Sequence, residues 1–411
     1  MVDTAAAIRR DTIVIGLVGS AHFLSHFFQL AIAPLFPLLR LEFDVSYTAL
    51  GLVVTAFYTA SGLCQAFIGI LVDRYGASRL MFLGLGLLAS SVALSGLVSA
   101  FWMLLPLAVL AGIGNSVFHP ADLAILSTKI GKTRLGRAYS VHGLAGTLGY
   151  TVSPVVVGSV AALYHWRAAL LVAGALGLVA LVVLMRFGER LATESQARRE
   201  SSGKPGRPIG FAALLATPAI VMALGYFILS AMAGIGFQTF SVTALTQLYG
   251  VPIGLATTAL TAYLIGSCGG VLVGGVLADR TSRHDLIAVS GMSVSAALML
   301  VIAGFDPTFV STVALIALSG AAVGATGPSR DMLVRAATPP GAAGKVFGFV
   351  YSGLDLGSSV APLLFGWLID HGQPRGVFVL IAGLLVLTIG TVVQVRRRSV
   401  VGRIAPLKGA D

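Results

Sequence analysis

Two short stretches of similar sequence, GILVDRYGASR at 69–79 and GVLADRTSR at 275–283, organise this chain. Each contains an Asp-Arg pair directly after a long apolar run, and the two pairs lie 206 positions apart. At an offset of 208 further residues of the same type coincide: Pro120 with Pro328, Gly136 with Gly344, Arg137 with Lys345, Gly149 with Gly357, Pro154 with Pro362, Gly158 with Gly366, and Arg167 with Arg375. The sequence therefore contains two copies of one structural unit.

The composition is that of a protein embedded in lipid. Of 411 residues, 56% are hydrophobic and 10% are charged, and the mean hydropathy is +0.93. A soluble domain carries about 25% charged residues. Because a membrane span takes roughly 20 apolar residues, a chain of this length holds about a dozen spans. These values exclude a soluble enzyme with a single membrane anchor.

The apolar residues form twelve segments, which predict an all-α integral membrane protein of twelve transmembrane helices in two six-helix, pseudo-symmetric halves. The stretch at 188–208 is charged and rich in Ser, Gly and Pro, which predicts a cytoplasmic linker between an N-terminal half at 1–187 and a C-terminal half at 209–411 with a basic cytoplasmic tail. The twelve predicted spans are 12–37, 47–71, 80–99, 101–127, 137–163, 167–187, 210–240, 253–277, 286–304, 308–334, 344–369 and 376–395.

The net charge of +11 is explained by membrane topology. With the N-terminus in the cytoplasm, 23 of the 27 Lys and Arg residues fall on the cytoplasmic side. Such an excess is typical of cytoplasmic loops. We expect a multi-pass protein of the inner (cytoplasmic) membrane with both termini in the cytoplasm, in contact with lipid and not with nucleic acid. The two cysteines, Cys64 and Cys268, lie within apolar runs, so neither a disulfide framework nor a zinc site is predicted.

The repeated Asp-Arg stretches resemble the signature loop of the major facilitator superfamily, and with the twelve spans and the linker the resemblance covers the whole chain. The chain departs from the family pattern at Ala77 and at Ser282, where a basic residue and a glycine are usual. The resemblance implies transport by alternating access. It also implies that the loop residues latch the two halves in one conformation, a role carried over to Gly69, Asp73, Arg74, Gly76 and Arg79, and to Asp279 and Arg280 of the second copy.

Within this superfamily, the fourth span GIGNSVFHPADLAIL at 112–126 resembles the fosmidomycin-resistance branch, which exports a small anionic drug. The fifth span contains Gly149, Pro154 and Gly158, a loose version of a motif of drug/proton antiporters with Ser153 in place of a glycine. The resemblance favours proton-driven efflux and drug resistance. Proton-symport uptake of a carboxylate remains the alternative, because the same charged residues would serve either direction.

Polar residues within the spans are candidates for function, since ionisable groups are costly in a membrane. His22, His26 and Gln29 share one face of the first span, and Asn115, His119 and Asp122 repeat that spacing on the fourth. The resemblance implies that both spans line the transport pathway. We expect Asp122 with His119 to carry the proton, and His22, His26, Gln29 and Asn115 to bind substrate. His142, a lone histidine beside glycines, is expected to be a hydrogen-bonded packing residue.

The repeat aligns Arg330 of the tenth span with Asp122. The fork of the Arg330 guanidinium suits a carboxylate, phosphate or phosphonate, so we predict that it receives an anionic substrate. The alternative is that Asp122 and Arg330 are structural, pairing with each other or with loop backbone. Asp331 is expected to pair locally.

Three further residues complete the candidate set. Tyr351 and Asp355 lie one turn apart on the eleventh span and are predicted to bind substrate and to carry a proton, respectively. Gln238 of the seventh span matches Gln29 at an offset of 209 and is a third candidate for substrate binding. Gly143, Gly146 and Gly149 are expected to let the fifth span approach a neighbour closely.

The leading hypothesis is a monomeric secondary transporter of a small organic solute, with no enzyme activity, cofactor or metal. No complete phosphate-binding loop of the form Gly-x4-Gly-Lys-Ser/Thr is present, so an ion gradient must supply the energy. The rival from another class is a membrane metalloenzyme, suggested by His22 and His26 one turn apart. A non-transporting sensor would need a signalling domain, and the loops are too short to contain one.

Overall fold

A computed structural model describes residues 2–131, 134–192, 218–337 and 343–404, and this part of the chain is helical. Twelve helical segments are long and apolar enough to cross a membrane. Ten spans are single helices: span 2 Tyr47–Tyr75, span 3 Ala77–Ser95, span 5 Leu135–Leu163, span 6 Trp166–Arg186, span 7 Pro218–Tyr249, span 8 Ile253–Arg280, span 9 His284–Gly304, span 10 Phe309–Ala337, span 11 Ala343–Asp370 and span 12 Pro374–Ile404.

Spans 1 and 4 are interrupted. Span 1 runs from Val2–Gln29 through a 3-10 turn, Ala33–Leu35, to a short helix, Phe36–Phe43. Span 4 follows a 3-10 turn at Phe101–Met103 and consists of Leu104–Asn115 and Phe118–Lys129. Pro120 explains the interruption of span 4, because it has no N–H to donate to the carbonyl of Ser116 and its ring crowds that carbonyl.

Several helix boundaries differ from the sequence prediction, by the most residues at the start of span 1 and at the ends of spans 7 and 12. The first helix begins at Val2, ten residues before the predicted start. Span 7, predicted at 210–240, continues to Tyr249, while 210–217 lie outside the described residues. Its polar extension is shielded, since Ser241 and Thr243 are buried. A short helix, Gly188–Leu191, begins the predicted linker, of which 193–208 lie outside the described residues.

The chain divides into two compact units. The first contains spans 1–6 together with residues 251–257, and the second contains the rest of spans 7–12. In the first unit span 1 packs on span 5, and span 3 packs on spans 4 and 6. In the second unit span 7 packs on span 11, and span 9 packs on spans 10 and 12. These three helix pairs therefore meet in both units, whereas span 7 also packs extensively on span 12 and span 1 makes little contact with span 6.

Glycines mark equivalent helix contacts in the two units. A side chain at Gly112 of span 4 would place its Cβ 2.2 Å from the backbone oxygen of Phe57, and at the equivalent Gly320 of span 10 the distance to the oxygen of Tyr263 is 2.0 Å. Gly149 and Gly357 repeat this arrangement for spans 5 and 11, with distances of 2.2 and 2.3 Å to the carbonyl oxygens of spans 1 and 7.

The close contact at Gly149 gives the first prediction. We expect Gly149→Ala to lower the stability of the protein by about 2–3 kcal/mol, because a Cβ 2.2 Å from the Phe23 carbonyl oxygen forces spans 1 and 5 apart. The measurement is the thermal unfolding midpoint of the purified protein. Gly143→Ala is the matched control, since no atom lies within 4 Å of its Cβ position. Equal midpoints for the two variants would contradict this account of the contact. The expectation that Gly143 also permits close approach is wrong.

Candidate functional site

A buried carboxylate forms the centre of a polar cluster in the first unit. Asp122 of span 4 is 0% exposed. His22 Nδ1 of span 1 lies 3.1 Å from Asp122 Oδ2, and His142 Nε2 of span 5 lies 3.0 Å from the same oxygen. The other oxygen, Oδ1, is buried and has no hydrogen-bond partner among the described residues. Spans 1, 4 and 5 therefore meet at one carboxylate that two imidazoles, and no Lys or Arg of the described chain, contact as an ion pair.

Four imidazoles surround this carboxylate. The rings of His22 and His142 are stacked with centroids 3.6 Å apart, and the ring of His26 lies 4.4 Å from that of His22. Both ring nitrogens of His26 are buried without a partner among the described residues. A Cβ at Gly146 would lie 2.9 Å from His22 Nε2 and 3.0 Å from His26 Cε1. Glycine at this position of span 5 thus leaves the room that two imidazoles need.

His119 connects the cluster with its surroundings. Its ring centroid lies 5.3 Å from that of His22, in an edge-to-face arrangement. Part of the His119 residue lies at the surface of the chain, whereas Asp122, three residues later on the same helix, is fully buried. The cluster therefore extends from the surface of the chain to a buried carboxylate.

The cluster also contains the donor types of a metal site. One ligand atom from each of His22, Asp122 and His142 lies within 4.8 Å of the others. The contacts of 3.0 and 3.1 Å to one oxygen are hydrogen-bond distances, so these three side chains form a hydrogen-bonded cluster.

A network of amides and hydroxyls lies beside the histidines on span 1. Gln29 Nε2 donates to Asn115 Oδ1 at 3.1 Å, and Asn115 Nδ2 donates to Ser61 at 3.0 Å. The Gln29 amide oxygen accepts hydrogen bonds from Tyr58 and Tyr150, at 3.2 and 2.5 Å. These amides bind neighbouring spans, so the substrate-binding role predicted for Gln29 and Asn115 would require the network to open.

A buried ion pair joins span 1 to the turn before span 5. Asp11 is buried, and its Oδ2 accepts hydrogen bonds from Arg134 Nε at 2.9 Å and Nη2 at 2.6 Å, and from the backbone N–H of Gly131 at 3.4 Å. Arg10 Nη2 lies 3.4 Å from the other oxygen, Oδ1. This pair was not predicted from the sequence. An acid within a basic N-terminal segment is the signal that would have found it.

In the second unit a guanidinium occupies the position equivalent to Asp122. Arg330 Nε of span 10 donates to Asp331 Oδ1 at 2.9 Å, and the Tyr351 hydroxyl of span 11 donates to the same oxygen at 2.9 Å. The guanidinium carbon lies 4.6 Å from the ring centroid of Phe227 in span 7 and 5.8 Å from that of Tyr351. Arg330 is thus held where spans 7, 10 and 11 meet, and the predicted local pairing of Asp331 is confirmed.

The remaining candidate residues of the second unit make fewer hydrogen bonds. A small cavity of about 20 Å³ is lined by Arg330 and by Tyr226, whose buried hydroxyl has no partner among the described residues. The Gln238 side-chain oxygen of span 7 is likewise buried and unpartnered within the described chain. Asp355 of span 11 is partly buried, and the hydrogen bonds and ion pairs of the described residues do not include it.

The predicted latch residues lie at the ends of spans 2 and 8. Gly76 ends span 2 with a positive φ of 91°, a conformation that favours glycine, and its N–H donates to the Val72 carbonyl at 2.9 Å. Arg74, Arg79 and Arg280 are exposed. The side-chain surroundings of Asp73 and Asp279 and the burial of Gly69 lie outside what the structure describes, so the latch remains a prediction.

His142 is buried and hydrogen-bonded, as expected, and its partner is the Asp122 carboxylate of the preceding span. The sequence did not indicate that partner. At an offset of 208 the four histidines correspond to Ser230, Gly234, Gly327 and Val350. The fold therefore does not require imidazoles here.

Twelve membrane spans in two repeated units are the architecture of a membrane transporter. Comparison with known protein families leads to the same class. The model of the Major Facilitator Superfamily matches residues 18–260 and 222–410, so the chain belongs to this superfamily. Neither this family nor the relatives below are enzymes, which rules out the metalloenzyme alternative.

Three known proteins resemble this chain over most of its length. The chain is 27% identical to the fosmidomycin resistance protein of Escherichia coli (strain K12), over 92% of each chain. It is 24% identical to a probable L-galactonate transporter of the same organism, over 84% of this chain and 80% of that protein. The fold is also that of a crystal structure of a bacterial homologue of the human lysosomal transporter Spinster, with a TM-score of 0.73 at 14% identity over 96% of this chain and 97% of that one.

Proposed function

We propose that this protein is a proton-coupled secondary transporter of small organic anions in the inner membrane, and that it exports them by proton antiport. One observation carries the proposal. The repeat places a carboxylate and a guanidinium at equivalent positions, each where the same three spans of its own unit meet. Because ionisable groups are costly in a membrane, two such groups at one repeat position indicate a shared task.

Asp122 is suited to exchange a proton. Its hydrogen-bond partners are two imidazoles, and no fixed cation of the described chain forms an ion pair with it. His119, which lies partly at the surface of the chain, offers a route by which a proton reaches the buried carboxylate. We propose that Asp122 carries the coupled proton, with His119 and the other imidazoles sharing it, and that Asp355 is a second proton site.

Arg330 is suited to receive the anion. The rings of Phe227 and Tyr351 hold its planar guanidinium, whose fork matches a carboxylate or phosphonate. The two relatives support this class of solute, since fosmidomycin is a phosphonate and L-galactonate is a carboxylate. The fosmidomycin relative also favours export. Uptake by proton symport is the second candidate, favoured by the L-galactonate relative.

Counterflow in proteoliposomes tests the solute class. Vesicles containing the wild-type protein and an unlabelled anion are given a labelled one, from a panel of fosmidomycin, L-galactonate, other carboxylates and phosphonates, and cationic drugs. We expect exchange of anions and not of cations, and faster net transport with an imposed pH gradient. Preference for cations would overturn the role of Arg330, and indifference to the gradient would overturn that of Asp122.

A further inference from the structure

The anion receptor proposed above already holds an anion that belongs to the protein. Asp331 directly follows Arg330 on span 10, and adjacent residues of a helix point about 100° apart. The two side chains nevertheless meet, because Arg330 Nε and the Tyr351 hydroxyl both donate to Asp331 Oδ1 at 2.9 Å. One oxygen atom with two donors from two spans is a carboxylate held in a defined place.

From this contact we infer that Asp331 is a resident competitor, a carboxylate that occupies Arg330 in the empty transporter and is displaced when a substrate anion binds. The inference rests on the proposed function of Arg330. A substrate carboxylate or phosphonate would seek the same guanidinium donors that Asp331 now uses. Binding is therefore an exchange of one anion for another on Arg330.

Exposure shows that Asp331 is able to leave. Its side chain is 42% exposed, against 25% for that of Arg330. A partly exposed carboxylate can be hydrated when it leaves its partner. A buried carboxylate would instead remain as an uncompensated charge. Asp122, at 0% exposure, lacks this freedom.

Arg330 does not depend on Asp331 for its position. The faces of Phe227 and Tyr351 hold the guanidinium, with ring centroids 4.6 and 5.8 Å from its central carbon. The repeat supports this conclusion. The residue equivalent to Asp331 in the first unit is Leu123, so the fold does not require an acidic residue at this position. A competitor, and not an orienting partner, is the role that these contacts support.

The test is the affinity of the purified, full-length protein for fosmidomycin, L-galactonate and inorganic phosphate, measured by calorimetry. We expect Asp331→Asn to bind at least one of these anions about fivefold more tightly than wild type, the factor that a partly exposed ion pair is worth. Tyr351→Phe, which removes one donor from Asp331, should tighten binding less. It should add nothing in the Asp331→Asn background, because both changes release the same carboxylate.

The matched control is Asp285→Asn. Asp285 belongs to the same unit, and its Oδ1 lies 3.5 Å from Arg283 Nε. This variant should bind the anions with the affinity of the wild type. Affinity of Asp331→Asn equal to or weaker than wild type, or no binding of any of the three anions, would overturn the inference. Arg330→Gln separates this result from the proposed function. If that variant binds as tightly as wild type, Arg330 is not the receptor and the proposed function itself fails.

Discussion

Replacing Asp122 with Asn is expected to reduce pH-gradient-driven transport to the background of empty vesicles. An amide has nearly the shape of the carboxylate and still bonds an imidazole, but it cannot take up and release a proton at any accessible pH. Because Asp122 is fully buried, removal of its charge should not destabilise the unit. Anion counterflow, which needs no net proton movement, should persist.

The readouts are labelled-anion transport with and without an imposed gradient, and the thermal unfolding midpoint. Asp306→Asn, in an exposed loop of the other unit, is the control and should transport like wild type. Gradient-driven transport that survives in Asp122→Asn would show that the proton is carried elsewhere, with Asp355 as the next candidate.

Replacing Arg330 with Gln is expected to weaken the binding of an anionic substrate about tenfold to a hundredfold. A hydrogen bond to a charged group is worth about 1.5–3 kcal/mol, and the substrate would lose the guanidinium donors at this position. Asp331, partly exposed, would remain hydrated, so the protein should stay folded. The measurement is the concentration dependence of counterflow, in which the half-saturating anion concentration should rise.

Arg375→Gln is the matched control for this variant. Arg375 also pairs with an aspartate of the second unit, Asp306, but at the exposed start of span 12. It should leave the half-saturating concentration unchanged. The same affinity in Arg330→Gln as in wild type would exclude Arg330 as the receptor.

The sequence predicted the fold well because hydropathy and repeated motifs are local signals. The offset of 208 that pairs Gly149 with Gly357 also pairs Gly112 with Gly320, and each of these glycines meets a neighbouring carbonyl. Span boundaries were less predictable where polar residues are shielded by packing. Span 7 thus runs to Tyr249 although its last turns contain Ser241 and Thr243, both buried.

Helix periodicity identified single faces but not which faces meet. It predicted the stripe of His22 and His26 and the candidate Asp122, but it did not identify Asp122 as the hydrogen-bond partner of His142, because the contact between spans 4 and 5 is tertiary. Likewise, Gln29 was predicted to bind substrate, but its amide oxygen already accepts hydrogen bonds from two tyrosine hydroxyls of neighbouring spans. Residues chosen by spacing are therefore sound candidates, while their partners require coordinates.

The central claim, that an anion and a proton move in opposite directions through this protein, is tested most directly by a pH-sensitive dye trapped inside proteoliposomes. An inward anion gradient is imposed without a pH gradient. The account predicts that the lumen of wild-type vesicles becomes more alkaline as anion entry drives protons out, and that Asp122→Asn vesicles show no change. Acidification of the lumen would establish symport instead, and a constant lumen pH during anion entry would contradict proton coupling altogether.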